Sequence, residues 1–169
     1  ATMNYECVHA DISQQTDIDA VVNAANAELK PGGGVAGAIH RAAGPELEKA
    51  TRSLAPIEPG EAVITDAFNL PNSYIIHCLG PVYGVDTPSD KLLANCYRNA
   101  LDLTDKHQIE SIAFPALSAG AFGYPFEAAT KVALETIRQH VEKLSHLKLV
   151  RFVLFSDEEF AHYQRALRK

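Results

Sequence analysis

Residues 21–44 read VVNAANAELKPGGGVAGAIHRAAG. A β-branched stretch runs into Asn23-Ala24-Ala25-Asn26, and Gly32-Gly33-Gly34-Val35 then opens a small-residue amphipathic segment. The pattern predicts a strand over 19–23 and a helix from about Val35 through Ala43. Three consecutive glycines remove side chains where a ligand could approach the main chain, and the helix behind them aims its first amides at the same place. A flexible loop is the alternative; the position between strand and helix favours an anion cradle. The loop lacks the lysine and hydroxyl of a P-loop and does not fit the Rossmann glycine spacing, which disfavours ordinary nucleotide folds.

Outward from this stretch the same grammar recurs. Further strands are expected over 62–65, 74–78, 111–114 and 150–155, with a weaker edge candidate over 5–9. Those over 19–23, 111–114 and 150–155 are short, apolar and bounded by turn residues, as central strands covered on both faces tend to be. A second short helix is expected over 45–54. Leu92, Cys96 and Ala100 recur at helical spacing beside Leu93, Tyr97 and Leu101, and Thr87-Pro88-Ser89 offers a cap followed by proline at the first helical position. Pro125 and Glu127 open another helix, with Ala129, Val132, Ala133, Ile137, Val141 and Leu144 on one stripe. Ser156-Asp157-Glu158-Glu159 has capping-box spacing and starts the last helix, through Ala166 or Leu167. Strands alternating with helices argue for an α/β layer architecture. No repeat, low-complexity tract or linker interrupts it, so residues 1–169 read as one domain.

A second side-chain-poor segment, residues 115–125 (PALSAGAFGYP), again joins a strand to a helix. Small residues from Ser118 to Ala121 would let amides meet a second phosphate face, and the two loops together suggest a diphosphate clasped from both sides. Phe122 either packs onto the core or stacks beside a sugar. Asp11-Ile12 and Phe155-Ser156 also stand at strand ends. A carboxylate can accept from an exocyclic amine and a phenyl ring can stack on a purine. On spacing alone, Asp11 reads as a turn or cap residue and Phe155 as a core residue.

Composition narrows the partners. The 169 residues carry a formal net charge of −6 with 47% hydrophobic and 21% charged residues, which suits a soluble globular protein. Lysines and arginines form no cluster, so little drives counterion release from a nucleic-acid polymer. No apolar run approaches the roughly 20 residues of a membrane helix, and no signal peptide is visible. Cys7, Cys78 and Cys96 show no Cys-x-x-Cys spacing and read as small hydrophobes in a reducing, cytoplasmic setting. His77 and Cys78 should face opposite ways on a strand, which argues against a catalytic thiol. The seven histidines lack ligand spacing, so no metal site is expected; His40 reads as a packing residue. Asp17, Asp19 and Asp66 read as turn or surface residues.

Asn23-Ala24-Ala25-Asn26, Leu29 and the run from Gly32 to Gly44 together resemble the signature of macro domains. Ser118-Ala119-Gly120-Ala121-Phe122-Gly123-Tyr124-Pro125 is similar to the family's second loop, and Gly60-Glu61-Ala62 and Phe155-Ser156-Asp157 match as well. The resemblance covers nearly the whole chain. It implies a three-layer α-β-α macro domain fold with a mixed, largely parallel sheet, binding ADP-ribose or an ADP-ribosylated protein, without a cofactor and as a monomer. Asp11 would bind the adenine amino group, with the Ile12 amide beside it and Phe155 stacked near the base. Gly32, Gly33 and Gly34, flanked by Ala24 and Val35, would wrap the diphosphate and distal ribose together with Ser118, Ala119, Gly120, Ala121 and Phe122. Asn26 would hydrogen-bond the distal ribose hydroxyls and Phe122 would orient that ribose, making these two the catalytic candidates. Ala36 stands where the best-known mono-ADP-ribosyl hydrolases of the family carry an acidic residue, and Pro31 replaces a further glycine. Archaeal and coronaviral macro domains share Gly-Gly-Gly-Val-Ala, and that group includes hydrolases. The resemblance thus leaves two expectations: an eraser of ADP-ribosyl groups, or a reader that binds without chemistry.

Overall fold

Parallel strands that are apolar at every position need cover on both faces, and the computed structural model, which describes residues 3–169, supplies it. The chain runs β1 (Asn4–His9), a 3-10 turn (Ile12–Gln14), β2 (Ala20–Ala24), α1 (Gly34–Ala43), α2 (Glu46–Thr51), β3 (Ala62–Asp66), β4 (Tyr74–Cys78) and α3 (Ser89–Lys106). It continues through β5 (Ser111–Phe114), α4 (Phe126–His140), a 3-10 turn (Val141–Lys143), β6 (Leu149–Leu154) and α5 (Asp157–Leu167). The six strands form one sheet in the order β1-β6-β5-β2-β4-β3. Every neighbouring pair is parallel except β3, which runs antiparallel to β4 at the edge.

Alternation along each strand sorts the core into two layers. Val22, Ile76, Phe114 and Phe152 point to one face and pack with Leu93, Tyr97, Ala133, Ile137 and Tyr163 from α3, α4 and α5. Their neighbours Val21, Ile75, Ala113 and Val153 point to the other and meet Ile39, Ala43 and Leu47 from α1 and α2. The result is the expected three-layer α-β-α arrangement with a mixed, largely parallel sheet. Phe114 is fully buried and lies 5.1 Å, centroid to centroid, from Tyr97; cutting such a residue to alanine costs about 3–5 kcal/mol. Among the described residues no helix is long and apolar enough to cross a membrane.

Several details differ from the sequence-based expectation. β4 is also an interior strand, paired with β2 on one side and β3 on the other. Pro88, not Thr87, occupies the N-cap of α3, with no side-chain cap bond; Ser89 instead ties down the preceding turn, donating to the Asp86 carbonyl at 2.7 Å and accepting from the Gly84 amide at 3.2 Å. Pro125 is likewise the cap residue of α4, which ends at His140, so Val141 and Leu144 continue its stripe in a 3-10 turn and beyond. Asp17 and Asp19 are more than surface residues. Arg151 donates two 2.7 Å bonds to Asp17, another to Glu6, and one of 3.0 Å to Gln15. That grip holds the Asp17 carboxyl down at about 2 and ties residues 11–17 to the sheet. Asp19 accepts from the Glu110 amide at 3.0 Å.

His77 and Cys78 point to opposite faces as expected: Cys78 sits in the α3–α4–α5 layer, while His77 bonds Asn23 and Thr65. All three cysteines are free. Burial pushes the Cys96 thiol up to about 12, far from the thiolate that reactivity needs.

Candidate functional site

Because β1, β6, β5, β2 and β4 run parallel, the segments that leave them emerge along one edge of the sheet. That edge is where ligands bind in open α/β folds, since helix N-termini and unpaired amides converge there. Asp11 follows β1, Phe155 follows β6, the 115–125 loop follows β5, and Asn26 with the glycine loop follows β2. Residues that looked scattered in sequence therefore stand in one row.

The first loop is pinned before it is bare. The Asn26 side chain clasps Lys30, its Nδ2 donating to the Lys30 carbonyl at 2.8 Å and its Oδ1 accepting from the Lys30 amide at 3.0 Å. One N–H and one lone pair of that amide remain for a ligand. Gly32, Gly33 and Gly34 are exposed, and Gly33 is the N-cap of α1 with no side chain capping the first turn. Gly34 has φ +55°, a left-handed conformation that favours glycine. The amides of that turn, with the partial positive charge of a helix start, face the row. Val35 is half-buried against the α1–α2 core, Ala24 half-buried at the end of β2, and Ala36 buried.

Two residues behind this loop were not singled out from the sequence. A Cβ on Gly37 would collide with the Gly32 carbonyl oxygen and stand 3.0 Å from Arg41 Nη1. Side chains on a helix lean toward its N-terminus, so the Arg41 guanidinium lies back over Gly37, toward the glycine loop. Among the described residues it makes no ion pair. The i, i+4 spacing of Gly37 and Arg41 was the available signal.

The second loop is shaped by Ser118, which adopts φ +64° although it is not glycine. Its hydroxyl is buried and donates to the Pro81 carbonyl at 2.9 Å, so only its main chain is left for a ligand. The Tyr124 amide closes the loop on the Ser118 carbonyl at 2.9 Å, and the Gly123 amide donates to Gly120 at 3.0 Å. Ala119 is half-buried; Gly120 and Ala121 are exposed. Phe122 is half-buried against Ala25, Leu29, Ile57 and Leu79, and its carbonyl accepts from the Tyr83 amide at 2.9 Å. It thus packs on the core by one face while lining the cleft with the rest.

At the β1–β6 end, Asp11 caps the 3-10 turn: its Oδ1 accepts from the Ser13 hydroxyl at 2.6 Å and the Ser13 amide at 2.8 Å. These bonds, with Arg41 adding to them, hold its carboxyl below the usual range, so at neutral pH it is an acceptor. Oδ2 remains open. The Ile12 side chain is buried, leaving its amide. The expectation that Phe155 is a core residue is overturned: the ring is 91% exposed. β6 ends at Leu154, and His9 Nε2 with the Glu159 carboxylate holds the Phe155 main chain while the side chain stands in solvent.

Asn23 and His77 lie beneath the row. Asn23 Nδ2 sits 3.0 Å from His77 Nδ1, and His77 Nε2 sits 2.9 Å from Thr65 Oγ1, whose hydroxyl donates to the Asp66 carbonyl. The chain is complete with a neutral ring protonated on Nε2, and burial lowers its pKa to about 3. It fastens β2, β4 and β3 just behind the loops. His40 is buried in the α1 layer, as the packing reading expects.

Asn26 and Phe122, one from each loop, line a common cavity of about 370 Å³ whose other walls include Ile57, Glu58, Gly80, Val82 and Asp86. A larger open hollow of about 550 Å³ lies between the start of α4 and α5, lined by Phe126, His162 and Arg165 among others. None of the expected ligand residues lines it. Among the described residues no group of three or more His, Cys, Asp or Glu could hold a metal ion.

Comparison with known proteins follows the same lines. The family model of the Macro domain matches residues 22–133. A macro domain-containing protein of Chlorobaculum tepidum is 47% identical over 161 residues, 95% of this chain and 93% of its own. A Cronobacter sakazakii protein named O-acetyl-ADP-ribose deacetylase is 45% identical over 156 residues, 89% of this chain and 87% of its own. A solved structure of an Oceanobacillus iheyensis macrodomain mutant with ADPR superposes with a TM-score of 0.90 at 43% identity, covering 96% of this chain and 90% of that one.

Proposed function

The chain belongs to the macro domain family, and from that premise we propose that it binds ADP-ribose along the sheet edge and hydrolyses ADP-ribosyl derivatives. The substrates are mono-ADP-ribosylated protein side chains or O-acetyl-ADP-ribose. The observation that carries the reading is the shared cavity of Asn26 and Phe122 at the junction of two side-chain-poor loops. The exposed Phe155 ring and the open oxygen of Asp11 suit an adenine at the β1–β6 end. The uncapped first turn of α1 and the second loop suit the diphosphate. Similarity to a named deacetylase and to a structure with ADPR supports both halves of the proposal.

Ala36 offers no proton acceptor, so the chemistry is substrate-assisted. A water held by the free amide functions of Asn26, loop N–H groups and a phosphate oxygen of the substrate attacks the distal ribose C1″. The C1″–O bond breaks, the carboxylate leaves with the electron pair, and the water proton passes to the phosphate oxygen and then to solvent. Phe122 fixes the ribose for in-line attack. Positioning and pre-oriented donors lower such a barrier by several kcal/mol. Incubation with a glutamate-linked mono-ADP-ribosylated protein tests this by release of ADP-ribose; release no faster than from boiled protein would sink it.

The buried methyl of Ala36 favours one other reading, a module that holds free or protein-linked ADP-ribose without turnover. Calorimetry with ADP-ribose measures the pocket common to both, and the release assay separates them.

A further inference from the structure

The strand order lays the ligand out in sequence. Asp11 and Phe155 stand over β1 and β6, the second loop over β5, and the glycine loop with Asn26 over β2. One strand further along lies β4, whose exit, Leu79-Gly80, forms the next stretch of the row. The cavity shared by Asn26 and Phe122 extends under that exit, walled by Pro56, Ile57, Pro59 and Val82. A base, diphosphate and distal ribose read off from β1 to β2 would place whatever is attached to the ribose in this cavity.

Accepting the ADP-ribose reading above, we propose that the cavity is a subsite for the polypeptide around an ADP-ribosylated side chain, selecting positively charged flanking residues. Three features carry this. At about 370 Å³ the cavity falls within the roughly 300–1,000 Å³ of small-molecule pockets, far more than an acetyl group fills. Its lining holds two carboxylates, Glu58 and Asp86, and no lysine or arginine. The Asp86 carboxylate is held by a main-chain bond, and the main chain that carries Glu58 is fastened while its side chain stays exposed. Asp86 Oδ2 accepts from the Val82 amide at 2.8 Å, while the Ile57 amide donates to the Ala27 carbonyl at 2.9 Å and fastens the Glu58 segment to the first loop. Beside Asp86, Tyr83 and Val85 are 48% and 73% exposed, giving the rim apolar contact area for a chain passing over it.

The test uses the whole protein and binding rather than turnover. Free ADP-ribose is compared with two peptides of equal length that carry ADP-ribose through a hydrolysis-resistant sulfur linkage, one flanked by lysines and one by glutamates. The lysine peptide is expected to bind about threefold to tenfold more tightly than the glutamate peptide at low salt, with the ratio shrinking at high salt. Glu58→Lys, at an exposed position, should bring the ratio to one or invert it. Asp86→Asn, which keeps an acceptor for the Val82 amide, should lower it. Equal affinity of the two peptides, with free ADP-ribose still bound, would overturn the subsite alone. Failure of free ADP-ribose to bind would instead reject the reading on which it rests.

Discussion

Gly80 and Ser118 face each other where the exits of β4 and β5 meet, and a Cβ on Gly80 would collide with Ser118 Oγ and stand 3.3 Å from Ser118 Cβ. Ser118 is itself held in a left-handed conformation by its bond to the Pro81 carbonyl. Gly80→Ala should therefore cost about 1–3 kcal/mol of stability by overpacking. Ser118→Ala should cost about 1 kcal/mol through the lost bond. Combined, the two should cost less than their sum by at least about 0.5 kcal/mol, because the second change removes the atom the first one strikes. Strict additivity in urea melts would show that the two residues do not meet.

Asn26 and Phe122 line one cavity from the two side-chain-poor loops, and the proposed mechanism uses both at the distal ribose. Asn26→Ala and Phe122→Ala should each lower kcat by about a hundredfold while weakening ADP-ribose binding only a fewfold, as expected for contacts used mainly in the transition state. Losses confined to affinity would place these residues in binding alone.

The Phe155 ring makes almost no contact with the protein, being 91% exposed. Phe155→Ala should leave the melting curve within about 0.5 kcal/mol of the parent. Affinity for ADP-ribose should fall by about 1–3 kcal/mol, the range of base–aromatic stacking. Binding of ribose 5-phosphate, which has no base, serves as the control. A variant that binds ADP-ribose as the parent does would remove Phe155 from the site.

His77 is buried and neutral, with its pKa lowered from 6.5 to about 3 by desolvation first and by His40 second. Between those values the unfolded chain takes up a proton that the folded chain refuses. Stability complete above about pH 6.5 should thus be lost progressively as pH falls toward about 3. His77→Gln should be less stable at neutral pH, since glutamine cannot serve Asn23 and Thr65 alike. It should also lose part of the acid slope in urea titrations. An unchanged slope would assign the acid sensitivity to other groups.

Much of this was legible in the chain itself. Short apolar runs bounded by turn residues located β2, β5 and β6, because strands with buried faces leave a composition that surface loops cannot mimic; β1, a half-exposed edge strand, left only a weaker trace. Phe155 misled because it continues the apolar run of β6; only the turn after Leu154, held by His9 and Glu159, shows that the ring has left the core. Thr87 misled because the usual cap-then-proline order was overridden by a tighter use of Ser89. The cavity beyond Phe122 left no local trace, since its walls come from segments around residues 26, 57, 80 and 122, and only the sheet brings them together.

At Gly37 a single hydrogen atom stands in for a side chain, and two neighbours occupy the space it releases: the Gly32 carbonyl and the Arg41 guanidinium. Loop and helix consequently meet in direct contact at this point, where there is no room for a side chain. Enlarging this position would unseat the loop and turn the arginine aside in one stroke, converting a change hidden beneath the cleft into a change of what the cleft can hold.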